Sequence, residues 1–81
     1  MGVVLREGGW RFVIYVDDHE PPHVHVKRSG GGEVKATLPA PGEYVSVLRV
    51  RNLPTHEATR GVRLVEQHRE LLLREWEKIH G

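Results

Sequence analysis

Asp17-Asp18-His19-Glu20-Pro21-Pro22-His23-Val24-His25-Val26 holds three of the six histidines, three acids and two consecutive prolines. Its second half alternates strictly between histidine and valine. That is the period-2 signal of a strand with one buried face. Alternation sends Val24 and Val26 to one side and His23 and His25 to the other. At a rise of about 3.3 Å per residue, the two imidazoles stand roughly 6.6 Å apart along the strand. That spacing lets them converge on one metal or one anion. Each proline fixes its own φ near about −65° and removes a backbone donor. The residue before a proline is pushed toward extended geometry. Glu20 to Pro22 is therefore expected to form a stiff, extended lead into the strand.

Working outward, the flanking segments also read as strands. Upstream, the apolar run Val3 to Arg6 meets the turn signal Glu7-Gly8-Gly9 and then Trp10 to Val16, rich in aromatic and β-branched residues. The glycines predict a first hairpin. Trp10, Phe12, Ile14 and Val16 share one face; Arg11, Val13 and Tyr15 share the other. Downstream, Ser29-Gly30-Gly31-Gly32 separates His23–Arg28 from a strand over Glu33–Leu38. A slip of one residue would flip every side chain. Matching apolar to apolar thus sets Val26 opposite Val34 or Ala36. His23, His25, Lys27, Glu33, Lys35 and Thr37 then share the second face, expected to be open to solvent or covered by a partner. Pro39-Ala40-Pro41-Gly42 interrupts the sheet, and Tyr44 to Arg51 is a further strand of ambiguous parity.

From about His56 to Ile79 the period changes to 3.6. Thr55 suits an N-cap and Glu57 the first helical turn. Ala58, Val62, Val65, Leu72, Trp76 and Ile79 form a stripe at helical spacing. Leu64 and Leu71 widen it, either as a broad core face or as a seam for a second subunit. Gly61 costs about 1 kcal/mol against Ala in a helix, and so marks either a close approach to the sheet or a break near Arg60. The pattern predicts an α+β fold in a single domain over residues 1–81. An antiparallel sheet of four to five strands is packed on one face by one long C-terminal helix.

Composition narrows the function. A chain of 81 residues buries only somewhat more than ~60% of its unfolded surface. It has no cysteine, hence no disulfide and no thiolate ligand. Any metal must use His, Asp and Glu. A net charge of +1 and a pI near 8.2 fall short of the basic footprint of a dedicated nucleic-acid binder. The N-terminus shows no apolar leader, Arg6 spoils a myristoylation signal, and no apolar run reaches membrane-spanning length. The expected location is the cytoplasm.

Several residues carry possible chemistry, each beside a plainer role. His23 and His25 are either a solvated pair, ligands of a divalent transition metal such as zinc, or acid–base groups. For a metal, His19, Asp17, Asp18, Glu20 or Glu33 supplies the third ligand; His19, His23 and His25 are the metal set taken forward. Without a metal, Lys27 or Lys35 would pair an anion, and His23, His25, Lys27 and Glu33 are the catalytic candidates. Asp17-Asp18 follows a strand directly and reads first as turn chemistry. His68 reads as a half-buried packing residue, and Trp10 and Trp76 as core anchors. Arg49, Arg51, Arg60 and Arg63 read as a solvated face, with RNA or a partner's acids as the alternative.

The run D-D-H-E-P-P-H-V-H-V-K, followed by G-G-G-E-V-K and by H-R-E-L-L-L-R-E-W, resembles domain-of-unknown-function family forty-one-sixty, a family of small bacterial proteins. The likeness covers about Trp10 to Gly81. It implies a small cytoplasmic protein, often encoded beside another small uncharacterised protein. Such members have been proposed as parts of toxin–antitoxin-like modules. The family offers no catalytic residues to carry over; its hallmark positions correspond to His19, Pro21, Pro22, His23, His25, Glu33 and Trp76. Two classes of function are therefore expected. One is an interaction module that binds a small protein from a neighbouring gene, with a homodimer as a further expectation. The other is a hydrolase, ribonuclease or metal-binding protein that uses the His23/His25 face.

Overall fold

The computed structural model describes residues 2–81. Five strands, β1 (Val3–Glu7), β2 (Trp10–Val13), β3 (His23–Arg28), β4 (Glu33–Thr37) and β5 (Val47–Arg51), form one antiparallel sheet in the order β1-β2-β3-β4-β5. Two helices follow, α1 (Thr55–Gln67) and α2 (Arg69–His80). Gly8 and Gly9 turn the first hairpin with φ of 53° and 84°, a left-handed backbone that glycine adopts freely.

The register follows the apolar pattern. Phe12 lies opposite Val26, Val26 opposite Val34 and Val24 opposite Ala36. Together with Trp10, Ile14, Leu38, Val65, Leu72 and Trp76 these residues form the buried core. Each large side chain removed from water contributes about 1.5–3 kcal/mol. The inner face of β2 ends sooner than the alternation suggested. The strand stops at Val13, a turn begins after Ile14, and Val16 is 78% exposed.

The helical segment differs from the expected single long helix: it is broken at His68, whose φ of −107° and ψ of 16° leave the helical region. An unbroken helix from Thr55 to His80 would run about 39 Å at 1.5 Å per residue, beyond the molecule's longest extent of 34 Å. Bending lets Val65 and then Leu72 and Trp76 reach the same core. His68 is held there by Glu7, whose Oε1 lies 2.8 Å from Nε2, and by an edge-on contact with Phe12 at 6.0 Å. It packs half-buried, as the sequence suggested.

Gly61 marks a close approach, not the break. A Cβ there would sit 3.1 Å from the Trp10 ring. Arg28 ties α1 to the sheet by its ion pair with Glu57 at 3.3 Å. The helix start is one residue earlier than expected. Pro54 takes the N-cap position with no side-chain bond, and Thr55 is the first helical residue. Leu64 and Leu71 are half-buried against the core, as a wide apolar arc requires. Among the described residues no helix is long and apolar enough to cross a membrane.

Candidate metal centre

Strand parity holds for β3: the valines lie in the core and the histidines on the second face of the sheet. The second face, however, is not open. His23 is only 6% exposed and His25 only 8%. The cover comes from the chain just after β2. Tyr15 to Asp18 form a tight turn in which the Asp18 N–H donates to the Tyr15 carbonyl at 3.1 Å and the Tyr15 N–H donates to Asp18 Oδ2 at 2.9 Å. This turn folds back over the histidines. The Tyr15 ring meets His25 edge-on at 4.9 Å, and its hydroxyl accepts a hydrogen bond from Lys27 Nζ at 2.7 Å. Trp76 of α2 closes on His23 at 5.3 Å.

The imidazole centroids lie 5.3 Å apart, so the rings converge. His23 Nδ1 lies 2.9 Å from the Pro21 carbonyl oxygen, which can only accept, so Nδ1 carries the proton. His25 Nδ1 faces Glu33 Oε2 at 3.0 Å. On both rings this leaves Nε2 turned inward, toward one oxygen. Asp18 Oδ1 sits 3.4 Å from His23 Nε2 and 3.3 Å from His25 Nε2. The potential ligand atoms of Asp18, His23 and His25 all lie within 4.8 Å of one another.

Charge state sharpens the arrangement. Burial works to raise the pKa of Asp18, but the Tyr15 amide and the His25 and His23 rings outweigh it and hold the carboxyl below its ordinary 3.8. Burial likewise works to raise that of Glu33, and His25, Lys27 and Arg49 together hold it below 4.5. Asp18 and Glu33 are thus carboxylates at neutral pH. An imidazole lone pair set against a carboxylate oxygen is repulsive unless a cation, either a proton or a metal ion, lies between them. Beside the cluster opens a cleft of ≈ 280 Å³ whose lining includes Asp17, Asp18, His19, His23, Lys35 and Leu48.

The structure therefore brings together His23, His25 and Asp18, with Glu33 behind His25. His19 is exposed; it lines the cleft but stands outside the ligand cluster. Lys27 bonds Tyr15 and does not face the inward nitrogens. Of the candidates for a third ligand, Asp18 is the one that joins the two histidines in this cluster, and it also makes the turn expected of it. Tyr15 and Trp76 were not foreseen as neighbours of the histidines. Parity did set Tyr15 on their face, while the approach of Trp76 left no local signal.

The family model "Domain of unknown function (DUF4160)" matches residues 9–77. The chain belongs to that family. Asp18, His23, His25, Glu33 and Trp76 all fall inside the matched DUF4160 span. No curated protein and no solved structure matches the chain.

Proposed function

We propose that this protein binds a divalent transition metal, zinc in the first instance, through Asp18, His23 and His25. One observation carries the reading: both rings aim Nε2 at one Asp18 oxygen while each Nδ1 meets an oxygen acceptor. Metal-bound histidines almost always donate their other ring N–H to a carbonyl or carboxylate, which fixes tautomer and orientation. Here Pro21 serves His23 and Glu33 serves His25. The Tyr15 amide does the same for Asp18 through Oδ2. Two imidazoles and a carboxylate suit zinc, and with no cysteine in the chain the softer thiolate sets do not arise.

Three protein ligands and an adjoining cleft favour a site with an open coordination position, the pattern of catalytic zinc. When bound, such a metal supplies an acidified water for hydrolysis. In this chain Glu33 would hold the His25 tautomer, and Lys35 on the cleft wall would attract an anionic substrate, a phosphodiester included. The hydrolase or ribonuclease role is thus a further step on the same site. The test of metal binding is elemental analysis of protein purified without a histidine tag, followed by zinc titration of the stripped protein. One equivalent per chain is expected, and none from His23→Ala with His25→Ala. A folded double variant that binds zinc like the parent would overturn the reading.

A second role, as the partner-binding half of a toxin–antitoxin-like pair, draws support from a separate feature. β5 lies at the sheet edge with Val47, Leu48 and Val50 exposed. Co-expression with the product of the neighbouring gene tests it: a stable complex is expected, and separate elution would count against it.

A further inference from the structure

We infer that β5 is a docking edge for an extended segment of another polypeptide whose residues alternate apolar with acidic. The inference requires no bound metal, although Arg49 also borders Glu33 behind His25. It rests on the partner-binding reading and goes further by naming what the partner presents.

β5 pairs only with β4, so one row of its backbone N–H and C=O groups faces outward, ready to accept another strand. The two faces of this edge differ sharply. Val50 lies opposite Val34 and Val47 opposite Ala36. Val34 and Ala36 are fully buried, yet Val47 and Val50 remain 49% and 44% exposed. The helix layer does not reach over β5. It leaves a groove of ≈ 490 Å³ lined on its apolar side by Val47, Val50 and Leu53 from the sheet side and by Ala58 and Val62 from α1. On the opposite face the bulge leaves Leu48 unpaired and exposed beside Lys35, so the alternation runs from Arg49 to Arg51; Arg49 lies across from Lys35 and Arg51 across from Glu33. That is three cations against one acid, and Arg49 approaches Glu33 only to 3.9 Å.

An added strand would set alternate side chains in these same two environments, as in edge-strand recognition of peptides generally. Those on the helix side enter the groove and favour apolar residues. Those on the other side meet Arg49 and Arg51 and favour Asp or Glu. A second copy of this chain fits poorly, because pairing β5 with itself crowds the arginines of both copies onto one face. Like charges across adjacent strands are destabilising. Arginines and the bulge between Lys35 and Ala36 are ordinary guards against indiscriminate edge pairing. An acidic strand is the sequence such guards admit.

The experiment is selection from an unbiased displayed library of peptides about ten residues long against the full chain. Enriched peptides should alternate apolar and acidic positions. A synthetic winner should shift the backbone amide signals of β5 and leave those of β1 unmoved. Arg49→Glu with Arg51→Glu should weaken it about tenfold or more in protein that stays folded, although acids set against Glu33 lower the melting temperature, and added salt should weaken binding too. Winners without the alternation, shifts centred on β1 or the helices, or undiminished affinity for the charge-reversed variant would overturn the inference. So would self-association with β5 at the contact. If the neighbouring gene's product still co-purifies with the charge-reversed variant, the β5 inference falls while the partner-binding reading stands.

Discussion

Asp18 uses its two oxygens differently, Oδ2 to fasten the Tyr15 turn and Oδ1 to face both imidazoles. Asp18→Asn separates the two roles. The amide oxygen can still take the Tyr15 N–H, and the amide nitrogen can donate to the Nε2 lone pairs. The metal-free variant should therefore melt like the parent while its zinc affinity falls by at least roughly a hundredfold. Glu33→Gln should cost less, roughly 10–100-fold, as is usual for the partner behind a ligand. Equal zinc affinity in titrations of both variants would place the metal elsewhere. Acid should also destabilise the metal-free protein in a defined window. Asp18 and Glu33 are both held below their unfolded values of 3.8 and 4.5. Their stabilisation is then complete above about 4.5 and is lost as pH falls through that value toward the folded pKa. Urea midpoints measured along a pH series should fall there, and fall less steeply in Asp18→Asn. The histidine spacing could be read from alternation alone. The role of Asp18 could not, because a turn already accounted for it, and what it faces depends on how the Tyr15 loop folds back.

At the scale of elements, Trp76 joins the helices to the site. It is 2% exposed in the core and also abuts His23. Trp76→Ala should destabilise the fold by about 3–5 kcal/mol, the usual loss for a large buried aromatic. Denaturant unfolding checks it, and a variant as stable as the parent would show that this stripe does not hold the sheet. Most of the element pattern was legible: the alternation of β3 and β4, the glycine turns and the 3.6-residue stripe each follow from local spacing. The break at His68 was not. No proline or glycine marks it; the residue that holds His68 there, Glu7, lies far away in sequence. The burial of His23 and His25 escaped for the same reason. Parity says which way a side chain points, not what later folds over it.

The molecule as a whole has 81 residues and no disulfide, so a bound ion that joins the Tyr15 turn to β3 should be felt globally. Zinc at a thousandfold excess over its dissociation constant should add about 4.1 kcal/mol to stability by mass action. The melting temperature should rise with zinc, drop back with a chelator, and stay flat in His23→Ala with His25→Ala. Because ligation needs imidazole nitrogens free of protons, affinity should also weaken as pH falls below neutrality. Which nitrogens meet the metal is read directly by long-range proton–nitrogen NMR of the histidine rings. With one equivalent of zinc, the Nε2 signals of His23 and His25 should shift to metal-bound values while both Nδ1 atoms keep their protons and the other histidines stay unmoved. Unchanged Nε2 signals at His23 and His25, or shifts confined to histidines such as His19, would contradict the account.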